Sequence, residues 1–120
     1  MSRISFVEHL GKKIIVMDFS HLRPGDEFIS GILEAKEWFA SQPAKSALSI
    51  FDATGAAYNM QFINVLKAFT KHNEPFIKAS TVIGVEGILN LALTAVAKFS
   101  GRTFKTFKDR PSAMDWLAGQ

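Results

Sequence analysis

Strand-like and helix-like apolar periods take turns along this chain, and that alternation is the tightest constraint on its fold. Gly11, Pro24-Gly25, Pro43, Gly55, Pro75, Gly84, Gly87, Gly101 and Pro111 punctuate the segments. Residues 3–9 read as a strand with Ile4 and Phe6 in one row. Gly11 turns the chain, and Ile14 to Phe19 returns as the hairpin partner. Asp26 stands where its carboxylate can cap a helix running to about Ser41, with Phe28, Ile32, Ala35 and Phe39 as the core stripe. Ser46 to Asp52 is a nearly continuous apolar run, as expected of a strand covered on both faces. Asn59 caps a helix to about Asn73, with Phe62, Ile63, Leu66 and Phe69 inward. Phe76 to Gly84 is a further interior strand, with Ile77, Ala79, Thr81 and Ile83 on one side and Val82 on the other. Glu86 to Phe99 is helical and Phe104 to Phe107 is a short strand. Arg110-Pro111 opens a last helix through Leu117, with proline where a missing amide costs nothing.

A hairpin followed by alternating helices and strands predicts an α/β domain. Its mixed central sheet has about five strands, the N-terminal hairpin plus parallel strands, served by about four helices and right-handed crossovers. The 120 residues are one domain, and a hydrophobic fraction of 48% supplies a core without staples. With no cysteine, disulfides, thiol nucleophiles and cysteine-held metals are excluded. No apolar run approaches the roughly 20 residues of a membrane span. The start, Met-Ser-Arg-Ile-Ser, lacks a signal-peptide pattern, so the expected location is cytoplasmic. A net charge of +3 is too mild to indicate nucleic acid.

In such a sheet, ligands and partners meet the rim at the carboxyl ends of the parallel strands. Three segments leave strands there: Ser20-His21-Leu22-Arg23, Asp52-Ala53-Thr54-Gly55 and Gly84-Val85-Glu86-Gly87. The candidate binding rim is therefore Ser20, His21, Asp52, Thr54, Gly55, Asn59, Gly84 and Glu86. Enzyme templates fit it badly. His9, His21 and His72 are not spaced like paired metal ligands. No nucleophile elbow, phosphate-binding P-loop or dinucleotide fingerprint occurs. Asp18, Asp52 and Glu86 can share a proton or an Mg²⁺ ion at a rim, but strand-end aspartates also accept loop amides, and a first-turn glutamate suits the helix dipole. His21 can be a base or a loop residue bonded to backbone. Thr54 can accept a phosphate beside a helix N-terminus, or can simply bond its own turn. No catalytic residue, metal or cofactor is expected.

Helix 86–99 is greasy. Its polar positions Asn90, Thr94 and Lys98 form one narrow stripe. Either the C-terminal helix with Trp116 and Leu117 covers it, or a second copy does, or it walls an apolar pocket with Phe62, Phe69 and others of the eleven phenylalanines. Lys98, Arg102, Lys105, Lys108 and Arg110 form a basic run that can touch anionic headgroups or an acidic partner, or can be a solvated strand edge.

"DFS" at 18–20, "FDATG" at 51–55, "VIGVEG" at 82–87 and "AMDWL" at 113–117, in this order and spacing, resemble the SpoIIAA-like branch of the STAS superfamily, a fold class that also includes CRAL-TRIO lipid-exchange domains. The resemblance covers nearly the whole chain. It implies a non-enzymatic module that binds a partner, as anti-sigma-factor antagonists bind a kinase. In those antagonists a serine at a helix N-terminus is phosphorylated. The matching stretch here, Ala57-Tyr58-Asn59-Met60-Gln61, has no serine or threonine, which leaves Thr54 as the candidate phosphorylation site. The expectation is a protein-interaction or regulatory module whose partner is another protein or a second copy joined through helix 86–99. The alternative is a carrier of a small apolar or lipid-like molecule. Nucleic acid is not expected, and peripheral membrane contact stays open.

Overall fold

The computed structural model describes residues 2–85, 88–101 and 104–120, with backbone alone at 88–92 and 100. The chain forms β1 (Ile4–His9), β2 (Lys12–Asp18), α1 (Asp26–Ala40), β3 (Ala47–Asp52), α2 (Met60–Asn73), β4 (Ile77–Ile83), α3 (Ile88–Ser100), β5 (Lys105–Phe107) and α4 (Arg110–Ala118). A single 3-10 turn, Glu74–Phe76, joins α2 to β4. The fold is α/β, as the alternation predicts.

The five strands lie in the sheet in chain order. β1 and β2 pair antiparallel, and β2 to β5 run parallel. Each crossover therefore steps the same way across the sheet. Right-handed crossovers repeated in one direction put their helices on one face. The larger core accordingly joins Ile15 and Met17 of the sheet to Phe28 and Phe39 of α1, Phe62 and Phe69 of α2, and Val96 of α3. Its rings interlock: Phe28 stacks on Phe62 at 4.3 Å, and Phe19 meets Phe28 edge-on at 5.8 Å. Among the described residues, the opposite face is covered by α4, whose Ala113 and Leu117 pack on Ile14, Val16, Leu48, Ile50 and Ile83.

Several expectations change. α4 does not cover α3, because the sheet lies between them. Instead α3 leans on α2, with Val96 buried and Thr94 and Lys98 exposed. Asn90 and Leu91 carry side chains outside the described residues, as do Glu86, Gly87 and Arg102 in full. Gly25, not Asp26, is the N-cap of α1; Asp26 is its first residue, where the helix dipole still favours a carboxylate. Ile77 does not share a face with Ala79, Thr81 and Ile83. The register slips between Ala47 and Leu48, so Leu48 faces Ala79 while Ala47 faces Ile77. That bulge at Lys78 turns Ile77 into the larger core. The basic run is also divided: Lys108 and Arg110 follow the carboxyl end of β5, whereas Lys98 and Lys105 lie at the other end of the sheet.

Candidate functional site

The parallel register sets Asp18, the last residue of β2, directly beside Asp52, the last of β3. Strand alternation sends both side chains to the α4 face, with Val16 and Ile50. Each aspartate stands two residues before a hydroxyl, in Asp18-Phe19-Ser20 and Asp52-Ala53-Thr54. The two turns then bond alike. Oδ1 of Asp18 accepts the Ser20 amide at 3.1 Å and the Ser20 hydroxyl at 2.5 Å. Oδ1 of Asp52 accepts the Thr54 amide at 3.0 Å and the Thr54 hydroxyl at 2.7 Å. The second oxygens of both converge on Arg110, the first residue of α4. Its Nε and Nη2 donate to Asp52 Oδ2 at 3.0 and 2.9 Å, and Nη2 reaches Asp18 Oδ2 at 3.3 Å.

One guanidinium thus ties two adjacent strand ends to the helix that covers the far face. Asp109 caps that helix by accepting the Ser112 amide at 2.9 Å, which fixes where Arg110 begins. Burial pushes against the charged form of Asp18, but the Ser20 hydroxyl and amide and the Arg110 charge outweigh it and hold its carboxyl below the ordinary range. Burial likewise opposes the Arg110 charge, and the bond and charge of Asp52, followed by Asp18, overcome it and raise its pKa.

Beyond the strands the parallel ladder continues into the loops. Phe19 donates its amide to Asp52 O, Ala53 to Ile83 O and His21 to Thr54 O, the last at 2.7 Å. The structure therefore brings Ser20, His21, Asp52, Thr54, Gly55 and Gly84 together on one edge. Gly84 has φ 78, and a Cβ there would lie 2.5 Å from Thr54 Cα and 2.6 Å from Thr54 N. Only glycine allows β4 to end so close to the second turn. Gly55 serves the His21 ring in the same way: an added Cβ would stand 2.7 Å from its Cε1. His21 itself holds a left-handed φ of 58 and stays exposed. Asn59 sits at the start of α2 on the rim side and accepts the Phe62 amide at 2.8 Å, so its oxygen serves as a cap. Glu86 lies outside the described residues.

Both oxygens of each carboxylate are engaged, and the Ser20 and Thr54 hydroxyls spend their protons on them. Asp18, its carboxyl held below the ordinary range, is a poor proton donor at neutral pH. No group of three histidines, aspartates or glutamates able to hold a metal occurs among the described residues. The arrangement can present a rigid surface, with exposed Thr54, Gly55 and His21 over a fixed polar base.

Arg110 is the residue that sequence reasoning missed. The signal was the repeated Asp-x-Ser/Thr at two strand ends, since two carboxylates brought side by side need a cation.

A second feature lies in the larger core. A cavity of about 70 Å³ separates the sheet from α2 and α3, walled by Met17, Phe62, Phe69, Leu93, Val96 and Phe104. On its floor Ser49 donates to Ser80 at 3.2 Å. No helix among the described residues is long and apolar enough to cross a membrane. No family model, curated protein or solved structure matches the chain.

Proposed function

We propose that this chain is a non-enzymatic, protein-binding module of the STAS/SpoIIAA-like type that recognises its partner through the strand-end rim. The observation behind this reading is the Arg110 clamp. It engages the carboxylates that a catalyst would need and ties the Ser20 and Thr54 turns to α4. A preordered surface of this kind binds with little loss of loop entropy. Thr54 is the point of control: a phosphate there would remove the hydroxyl bond to Asp52 and set a dianion against that carboxylate. The test is affinity capture with the whole protein, followed by identification of what is retained. A partner should be held by wild type and by Lys36→Ala on the exposed flank of α1, and lost with His21→Ala and with Thr54→Glu. The same captured set from rim variants and wild type defeats the proposal, provided circular dichroism shows all of them folded.

The cavity favours a second reading, a carrier of a small apolar molecule. Its volume is about half that of an engineered apolar cavity of roughly 150 Å³ that admits benzene, so a ligand must be compact or must part α2 from α3. Mass spectrometry of the protein after mild purification decides this. A bound apolar mass that disappears in Leu66→Trp supports the carrier, and a clean protein removes it.

A further inference from the structure

The end of the molecule opposite the rim has a different chemistry. Crossover helices run back against the strands they follow, so the starts of β2 to β5 and the ends of α1 to α3 share one end. Lys12, Lys45, Lys71, Lys78, Lys98 and Lys105 gather there, with Lys13 one step up β2. The acids among them are Glu8, which faces Lys13 across the hairpin, Glu37, Glu74, which pairs with Lys45 at 3.1 Å, and Asp115, which bonds His9 beside Lys12 at 2.6 Å, so the lysines still outnumber them. At the rim end Asp18, Asp26, Glu27, Asp52 and Asp109 outnumber Arg3, Arg23, Lys108 and Arg110 among the described residues. A small net charge therefore hides a polarised molecule.

Two apolar side chains project from the basic end. Leu10, at the β1–β2 hairpin tip, is 76% exposed, and Phe99, in the last turn of α3, is 53% exposed. The Lys67 and Lys71 ammonium groups each stand 5.5 Å from the Phe99 ring centroid. Between α3 and the start of β4 lies an open polar hollow of about 220 Å³, bordered by Lys45, Glu74, Lys78 and Gly101.

The geometry points to this end as a docking surface for an anionic lipid bilayer. The lysines meet the headgroup phosphates and carboxylates, and Leu10 and Phe99 enter the acyl boundary. Apolar tips ringed by lysine suit an interface that is charged outside and apolar beneath. Nucleic acid is disfavoured, because among the described residues Phe99 is the one strongly exposed ring at this end, whereas a single strand is held by a series of stacking rings. This proposal is independent of the rim: a molecule so docked leaves the rim pointing away from the membrane.

Vesicle co-sedimentation with the whole protein tests it. Vesicles of phosphatidylserine in phosphatidylcholine should bind the protein, vesicles of phosphatidylcholine alone should not, and added salt should release it. Lys98→Ala or Lys71→Ala should each weaken binding about fivefold. Phe99→Ser should weaken it about tenfold. Leu10→Asn, which keeps a residue tolerant of the left-handed backbone at that position, should weaken it in the same direction. Lys108→Ala, at the rim end, should bind like wild type. Three results overturn the proposal: no sedimentation with anionic vesicles, equal weakening by Lys108→Ala and Lys98→Ala, or polyglutamate capture matching vesicle capture with no effect of Phe99→Ser. The last would identify an acidic polypeptide as the partner instead.

Discussion

Replacing Arg110 by methionine keeps a long side chain and a good helix former at the start of α4, and removes the only charge between Asp18 and Asp52 described in the structure. Asp52 is then the costly member. Its side chain is only 9% exposed and loses two donors on one oxygen. Stripping the partner from a fully buried ion costs about 3–5 kcal/mol. Asp18 and Arg110 are each 39% exposed, so water screens part of the loss, and about 2 kcal/mol is expected. In urea this lowers the midpoint by roughly 1 M for a domain of this size. Trp38 on α1 and Trp116 on α4 report from opposite faces of the sheet, and both should show the same shift. The pH dependence carries the mechanism. The folded-state pKa of Asp18 lies below its ordinary 3.8. Its contribution is therefore complete above 3.8 and is lost as pH falls through the folded value. Without Arg110, the two adjacent carboxylates repel, and protonating one relieves the strain. The variant's deficit should shrink by more than half when urea unfolding is repeated near pH 4. A deficit under about 0.5 kcal/mol at neutral pH, or one unchanged in acid, refutes the clamp.

Wild type should lose stability in acid as Asp18 and the α4 cap Asp109 take up protons, both carboxylates being held below their ordinary range in the folded state; acid titration followed by far-ultraviolet dichroism measures it. Gly84→Ala should destabilise by more than about 2 kcal/mol, whereas Gly11→Ala, with a similar φ of 82 and open space around it, should cost only about 1 kcal/mol in thermal melts. Asn59→Ala should cost about 1 kcal/mol in urea and Asn59→Asp much less, since the aspartate oxygen can still accept the Phe62 amide. Phe62→Ala, in the centre of the ring cluster, should cost about 3–5 kcal/mol by the same measurement.

The sheet was legible because its rules are local. Alternating periods, a hairpin at Gly11 and right-handed connections leave few arrangements, and they predict both the strand pairing and the gathering of 20–23 with 52–55. The orientation of Ile77 was not legible: a bulge at Lys78 depends on pairing with β3 and leaves no period of its own. Arg110 was hidden for a related reason. α4 is short, with Ala113 and Leu117 as its only buried side chains, and such a pattern fits either face of a sheet. Until α4 is placed, Arg110 reads as one more residue in a basic run. The bonds of Thr54 and Ser20 to their own aspartates were within reach of the sequence, since a hydroxyl two residues after an aspartate favours such a turn.

The placement of α4 also bears on biogenesis. A nascent polypeptide that has not yet reached residue 110 can already pair its strands and bury its rings under α1 and α2. Yet Ile14, Val16, Leu48, Ile50 and Ile83 then form a bare greasy plane beside two carboxylates that lack their cation. Chaperone capture and self-association should peak at that stage of synthesis, and one short segment arriving late ends the hazard by sealing the plane and neutralising its margin together.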